Sequence, residues 1–554
     1  MNEGVELGID LGTTNSSLAA VSPPETEPKS ARVSRNDQPY DTILRTRVTV
    51  LAEGSGLERV RGVGDALDPN SPPRHLSEFK PYFREPWLRR RIRQDFEVVK
   101  INSANDIPNT SAGFRWVEST EPYSWDELVL GAAGIFRHLF SKLNPRVRPD
   151  DVARIYLGLP FNTWSLSRRR LLASVVDSGL VGDHLQALEK VRFIPEAVGA
   201  SSTVPLVARR KMTEATVLVF DFGGGTLDLA VLRYKGDAGT HMLPTELLAT
   251  GGLAFAGSHI DHMIQQRIIE REGLSQELTG KTREEFLEAA QSLKIQLSKA
   301  TEAVEVFGTA GSYTLTLAEL DGLLTERMAQ IRSVVTKVLQ RAAVRPKDIN
   351  LVYTAGGSSL LPQVQTLLND LFGEDNDNLY LHDAADEQPG GSCEKALTAV
   401  CRGLTLSGLR SRLSQKADRS YLVLTADGEL VELLKEGTSF DPESGVARGT
   451  CVARNLPSAG DVCTVALYER HLGEYQHVLN FTGIPNPRDS SGLRLHLELG
   501  VSDAFPRLVA EYLASGAKVP VRNVQDLKEA EVRQLIRTES STVPSSSRPS
   551  PVHP

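Results

Sequence analysis

Val217-Leu-Val-Phe-Asp221-Phe-Gly223-Gly224-Gly225-Thr226-Leu-Asp228-Leu-Ala-Val-Leu232 decides the fold. Two apolar runs of β type flank a glycine triplet and a threonine. They lie too close together for a βαβ unit, so the spacing predicts an antiparallel hairpin. Successive glycines let a turn backbone approach a ligand and aim its N–H groups at it, an arrangement suited to phosphate oxygens. Asp221, beside the turn, is placed to hold a magnesium ion through water. For this stretch alone, a glycine-rich hairpin without a ligand is the plainer alternative.

The chain start repeats the plan. Val5-Glu-Leu-Gly8-Ile-Asp10-Leu-Gly12-Thr13-Thr14-Asn15-Ser16-Ser17-Leu-Ala-Ala-Val21 again gives an apolar run, an aspartate, a glycine and hydroxyl turn, and a second apolar run. Two such hairpins suggest two related halves clamping one nucleotide. A third signal is Leu351-Val-Tyr-Thr-Ala-Gly356-Gly357-Ser358-Ser359, a strand ending in two glycines, with a helix expected from about Pro362. Bare amides and a helix N-terminus there favour an anion or a ribose edge.

These three motifs resemble the two phosphate loops and the adenosine loop of the actin, sugar-kinase and heat-shock ATPase superfamily. The wording Gly-Ile-Asp-Leu-Gly-Thr-Thr-Asn-Ser and Asp-Phe-Gly-Gly-Gly-Thr-Leu-Asp resembles more narrowly the DnaK-type seventy-kilodalton heat-shock chaperones. The resemblance covers about residues 4–410, and more loosely 420–512. It implies a two-lobed α/β actin-like ATPase domain over 1–407, a linker over 408–419 and an all-β sandwich resembling a substrate-binding domain over 420–515. A short helical segment over 516–537 and a disordered Ser/Pro tail over 538–554 complete the expected organisation.

Composition agrees with a multidomain globular protein. The chain has 554 residues, 40% hydrophobic and 24% charged. A net charge of −8 argues against a general nucleic-acid binder. The basic run 84–93 is interrupted by Trp87, Leu88 and Ile92 and reads as a solvated helix face. Cys393, Cys401, Cys451 and Cys463 form no CxxC pair, so neither a zinc site nor a disulfide framework is expected, and the sparse use suits a cytoplasmic setting. Neither a signal-peptide pattern nor a membrane-spanning apolar run is read, so no membrane partner is expected.

Residues 22–38 read as a loop. Ser124-Trp-Asp-Glu127 is a capping-box signal, followed by Leu128, Ala132, Ile135 and Leu139 at helical spacing. The run 155–160 reads as a buried strand, Ser165–Ser178 as a helix, and Glu284–Lys299 as an amphipathic helix with Lys294 and Ser298 on one face. The resemblance carries roles onto matching positions. Lys80, in Phe79-Lys80-Pro81, matches a catalytic lysine that holds the attacking water and a γ-phosphate oxygen. Glu196 matches a glutamate of the crossing between the halves, where Ala197 replaces the family's proline. Glu196 or Asp228 would help orient the water. Gly12, Thr13, Thr14, Asn15 and Gly223 to Thr226 would contact phosphates, Asp10 and Asp221 would hold magnesium waters, and Lys294, Ser298, Gly356, Gly357 and Ser358 would flank the nucleoside. Gln291 replaces a family glutamate, Leu360 replaces an arginine that stacks on adenine, and His259 has no neighbouring residues to make a metal site.

The linker is polar where the family's is acidic and leucine-rich. Residues 421–512 show short strands and turns: Leu493, Leu495, Leu497 and Leu499 alternate with polar residues, as in a strand with one buried face. Phe481-Thr-Gly-Ile-Pro-Asn-Pro-Arg488 resembles a turn of the chaperones' peptide-binding sandwich. Loops 425–431 and 454–462 would form a cleft with Leu430, Val431 and Leu456 as apolar contacts for an extended peptide; taken singly, each of these residues better suits a sandwich core. Asp526–Arg537 reads as one charged helix, and the family's long helical lid is missing.

The resemblance implies a lidless ATP-dependent chaperone: a slow ATPase using ATP/ADP and Mg2+, with extended or unfolded polypeptide clients and, as in the family, a J-domain protein or nucleotide-exchange factor as co-chaperone partners. An ATP-regulated scaffold or reactivating factor with one dedicated protein partner stays open. A small-molecule kinase of the same superfamily is disfavoured by the appended β region.

Overall fold

A computed structural model describes residues 4–22, 27–33, 42–51, 54–64, 74–77, 80, 124–161, 163, 165–207, 214–236, 243–271, 280–307, 311–373, 379–382, 384–387, 391–410, 415–441, 443–471, 474–487, 492–500 and 503–537. The basic run 84–93, the neighbours of Lys80 and the Ser/Pro-rich end lie outside the described residues. Two compact units are present. The first comprises Met1–Phe161, Asp177–Leu180 and Ile194–Ser411; the second comprises Asn162–Val176, Val181–Phe193 and Arg412–Pro554. Among the described residues, no helix is long and apolar enough to cross a membrane.

The first unit is built on two sheets of one plan. In one, Val5–Asp10 pairs antiparallel with Asn15–Val21 on one side, from Glu6 opposite Val21 to Asp10 opposite Ser17, and parallel with Val152–Leu159 on the other. In the other, Glu214–Phe222 pairs antiparallel with Leu227–Lys235, with Asp221 opposite Asp228, and parallel with Leu351–Ala355. Each sheet therefore centres on a strand that ends in an aspartate and a glycine turn. Residues 22–38 are not all loop: Lys29–Ser30 is a short strand pairing with Ala19 and Ala20, so a polar composition there hid an edge strand.

Leu218, Phe220 and Phe222 share one face of the second central strand and pack with the helices Gly257–Arg271, Leu317–Arg341 and Pro362–Phe372 through Ile260, Ile264, Val335, Leu339, Val364 and Leu368. Val217, Val219 and Ala230, on the other face, are also fully buried. A sheet covered on both faces reads as a continuous apolar run, which is why this stretch lacks a clean alternation. The capping box is present: Ser124 accepts from the Glu127 amide, and Glu127 from the Ser124 amide, at the start of helix Trp125–Ser141. The amphipathic helix runs Gly280–Leu297, a turn earlier than its apolar spacing suggests.

The second unit contains two antiparallel sheets. One has the order Leu430–Leu434, Ser420–Leu424, Val462–His471, Ser458–Ala459, with Glu474–Pro485 also on Val462–His471; the other has the order Val446–Ala453, Leu493–Gly500, Arg507–Tyr512, Lys518–Val519. Leu493, Leu495, Leu497 and Leu499 form a buried row, as the alternation requires. The matching row on Val462–His471 is Cys463, Val465, Leu467, Glu469 and His471, so a carboxylate stands at a core position.

That carboxylate meets the helix Ser165–Asp177. Glu469 accepts from the Ser165 amide and from Ser165 Oγ, both at 2.9 Å, and from Arg419 at 2.9 Å. It thus caps a helix N-terminus and pairs a buried guanidinium at once. The neighbouring Arg168 donates to the Asp503 carbonyl, and Arg169 lies over the Phe505 ring. Residues 415–419, the end of the polar stretch after helix Ser392–Arg410, are tied in by Ala417 to Thr438 and Phe440 to Gln415 backbone bonds. The charged C-terminal segment is a helix only over Glu529–Arg537, after a turn at Val524–Asp526; it buries Val532 and Ile536, and Glu529 accepts from the Leu185 amide.

Candidate active site

Both hairpin turns open into one cavity of about 350 Å³ in the first unit. This is at the small end of ligand clefts, which span about 300–1,000 Å³. Asp10, Gly12, Thr13, Thr14, Asn15, Lys80, Glu196, Asp221, Gly223 to Thr226, Lys294, Ser298 and Gly356 to Ser358 all line it. Asp228 does not line it but lies close enough for its charge to act on Asp10 and Asp221.

The two turns face each other across the cavity. A side chain on Gly224 would run into Thr14, and one on Gly225 into Thr13. Thr46 holds the first turn, donating to the Gly12 carbonyl at 2.9 Å and bonding Ser16 Oγ at 2.7 Å. The second turn is held by Gly257 and Ser258, whose amides donate to the Gly223 and Gly224 carbonyls, and by Ser358 Oγ, 2.7 Å from the Gly223 carbonyl. Within the second turn the Gly223 amide itself donates to the Thr226 carbonyl at 3.2 Å. Thr14 Oγ1 is buried without a hydrogen-bond partner among the described residues. Buried hydroxyls without a partner are uncommon, and Thr14 lines the cavity.

Gly356 shows why glycine is required. Its φ is +78°, and a Cβ would stand 2.5 Å from the Phe222 carbonyl group and 2.7 Å from Asp221 Oδ1. Gly356→Ala should lower stability by about 1–3 kcal/mol, from left-handed strain and overlap together. Denaturant midpoints check this; an unchanged midpoint would mean the turn relaxes freely.

At the floor, Lys80 Nζ lies 2.5 Å from Glu196 Oε1, both buried. Glu196 opens helix Glu196–Ser201, and Asp228 Oδ1 accepts from the Phe161 amide at 2.6 Å. Loss of solvent, and then the Glu196 charge, raise the Asp10 carboxyl to about 7 against the opposing pull of Lys80. Loss of solvent, with Glu196, Asp228 and Asp10, raises Asp221 well above its usual range. Four acids face one lysine, so full ionisation leaves three negative charges (four minus one). A divalent cation would offset that excess. Among the described residues, no three His, Cys, Asp or Glu side chains are placed to hold a metal directly. Two carboxylates on one cavity, Asp10 and Asp221, suit a hydrated magnesium ion, which keeps several waters.

A raised carboxyl pKa has a defined consequence for stability. The folded state binds protons that the unfolded state has already released, so the Asp10 contribution should lower stability as pH rises from 3.8 to about 7, and Asp221, raised in the same direction, adds to the fall. Magnesium nucleotide should flatten that fall by favouring the ionised form. Thermal midpoints across this range, with and without it, check the sign; a midpoint rising with pH through this window would contradict it.

Another side of the cavity is built by helix Gly280–Leu297 and the turn Gly357–Leu360. Lys294 pairs with Asp261 Oδ1 at 2.7 Å and donates to the Gly257 carbonyl at 3.1 Å, which joins this helix to the start of helix Gly257–Arg271. Arg45 and Arg47 on one side meet Glu288 on the other, and Lys299 pairs with Glu387. Sequence reasoning missed Ile295, which lines the cavity and is 44% exposed; its signal is an aliphatic residue on the polar helix face between Lys294 and Ser298.

Leu430, Val431 and Leu456 lie in the second unit. Leu430 and Val431 open an edge strand, and Leu456 follows Val446–Ala453; all three are half-buried. Ala426 N donates to the Asn455 carbonyl at 2.6 Å, joining the two loops expected to flank a cleft.

The protein-family model described as Hsp70 protein matches residues 183–385. The chain is similar to a chaperone protein HscA homolog of Pseudomonas aeruginosa, 26% identical over 392 residues, which cover 66% of this chain and 54% of that protein. It is also similar to an HscA homolog of Pseudomonas fluorescens, 31% identical over 190 residues (34% of this chain, 29% of that protein), and to chaperone protein HscA of Salmonella newport, 30% identical over 191 residues (34% and 29%). The chain spans about half the length of the first of these relatives.

Proposed function

Because this chain belongs to the DnaK-type seventy-kilodalton heat-shock family, we propose that it is an ATP-dependent chaperone that hydrolyses MgATP slowly and uses the nucleotide state to regulate its grip on extended polypeptides. The observation that carries this is the convergence of two opposed glycine and hydroxyl turns, Lys80–Glu196 and the Asp10/Asp221 pair on one cavity. Bound MgATP supplies the scissile γ-phosphate and a cation that neutralises charge developing on its oxygens.

The chain's own residues then position and exclude. The amides of 12–15 and 223–226, with Thr13, Thr14 and Thr226 hydroxyls, bind phosphate oxygens. Asp10 and Asp221 hold the water shell of the cation. Lys80 orients the attacking water, while Glu196 fixes the ammonium and Asp228 steadies the floor through the Phe161 amide. Their contribution is positioning and charge neutralisation, so hydrolysis is expected to be slow unless a partner completes the geometry. Lys294, Ser298, Gly356, Gly357 and Ser358 take the nucleoside. The second unit is read as a β-sandwich with its peptide cleft between loops 425–431 and 454–462, with Leu430, Val431 and Leu456 as apolar contacts. The division into a nucleotide domain to 407, a linker to 419 and a sandwich to 515 is part of the same reading. A cytoplasmic setting, and a J-domain protein or exchange factor as partners, are carried over from the family.

One observation favours the dedicated-partner alternative. The stretch read as a linker ends in Asp418 and Arg419, and Arg419 is buried against Glu469 rather than held in a mobile connection. The test is the release rate of a labelled extended apolar peptide under ATP and under ADP. Faster release under ATP supports the chaperone reading. Absence of binding to every peptide, with one protein retained tightly, supports the scaffold.

A further inference from the structure

Glu196 opens a six-residue helix, Glu196–Ser201, in which every residue is buried. Helices shorter than about 12 residues are marginal on their own, so the surroundings must fix this one. At its start, the Glu196 side chain lies on Gly158 of strand Val152–Leu159, where a Cβ would stand 3.1 Å from Glu196 Cγ. At its end, two tyrosines of the other sheet reach it. The Tyr234 O–H donates to the Ser201 carbonyl at 2.7 Å. Thr203 Oγ1 donates to the Ala200 carbonyl at 2.7 Å and lies 2.8 Å from the Tyr353 hydroxyl. A threonine hydroxyl carries one proton, so with Thr203 donating to the carbonyl, the Tyr353 O–H donates to Thr203.

Both tyrosines are buried, Tyr234 on strand Leu227–Lys235 and Tyr353 on strand Leu351–Ala355. A phenylalanine would fill nearly the same space; what each hydroxyl adds is one directed bond. Both bonds bear on the last turn, whose carbonyls a helix leaves without partners of its own. The helix is only about 9 Å long, so a shift at Ala200 and Ser201 carries to Glu196, and from there to Lys80 Nζ, 2.5 Å from Glu196 Oε1. We propose that Tyr234 and Tyr353 are positioning residues for hydrolysis, which hold Glu196, and through it Lys80, by fixing the opposite end of this helix; the inference rests on the ATPase reading above.

The test is steady-state ATP turnover by the full chain carrying Tyr353→Phe or Tyr234→Phe, with MgADP binding measured alongside. Both variants keep the ring in the core and are expected to fold. Each should lower kcat by about tenfold while KM and MgADP affinity stay within about twofold, because the turns that bind phosphate are untouched. In the Lys80→Ala background, single-turnover hydrolysis should fall no further on adding Tyr353→Phe, since the group being positioned is gone. A tyrosine that served stability alone would act equally in both backgrounds. A kcat within about twofold of wild type in either variant would overturn the inference and leave the ATPase reading standing. So would an equal loss in the Lys80→Ala background. Absence of hydrolysis by the unaltered chain would overturn both.

Discussion

Lys80→Ala should lower ATP turnover by about 10²–10³-fold while leaving nucleotide binding within a few fold. The asymmetry follows from the geometry. Lys80 sits at the floor with Glu196, while the amides and hydroxyls proposed to face phosphate belong to the two turns. Removing the ammonium leaves those turns intact and deletes the cation that offsets Glu196 and is proposed to orient the water. The carboxylates would then face one another without a counter-charge, so Asp10 should also hold its proton to a higher pH. Single-turnover hydrolysis separates chemistry from binding. Turnover within a few fold of wild type would mean that Lys80 does not act on the water. Lys80→Arg tests placement as well as charge, since the guanidinium keeps the charge but not its position.

Glu469→Ala should destabilise the second unit by about 3 kcal/mol, the low end of what losing one partner of a buried ion pair costs. Arg419 would lose its buried acceptor and the Ser165 amide its cap, with Asp418, 2.7 Å from Arg419 but half-exposed, as the remaining partner. Glu469→Gln keeps an acceptor for Ser165 and should fall between the two. Hydrogen exchange over 165–177 reads the effect locally: faster exchange there is expected, and unaltered protection would show that the helix start does not depend on this carboxylate.

These two sites differ in how far the sequence discloses them. The hairpins at 5–21 and 214–235 are legible because each is local: apolar runs, an aspartate and a glycine turn within about twenty residues fix strand, turn and face together. Lys80 and Glu196 are legible only through resemblance, because the contact joins residues 116 positions apart and neither has a distinctive neighbourhood in sequence. The Glu469–Ser165–Arg419 cluster was missed for the same reason. Its members are separated by 304 and 50 positions, and alternation along 462–471 marks position 469 as a core site without saying that a carboxylate there has a partner. Ile295 was passed over because a single apolar residue on a polar helix face is common, and what distinguishes it is the cavity beside it.

The polar stretch 408–419 shows a related limit. Composition identifies it as non-core, yet 408–410 complete a helix and Arg419 is buried, since one ion pair outweighs what polarity suggests about exposure. Glycine positions behave oppositely. Gly224, Gly225 and Gly356 sit where any side chain would collide with the facing turn or with Phe222, so their chemistry is readable from identity alone.

The most direct test of the nucleotide-clamp mechanism is steady-state ATP hydrolysis by the purified protein with magnesium, alone and with a panel of extended apolar peptides. The expected result is slow, magnesium-dependent turnover that peptides accelerate. An absence of nucleotide binding under these conditions would contradict the mechanism at its root.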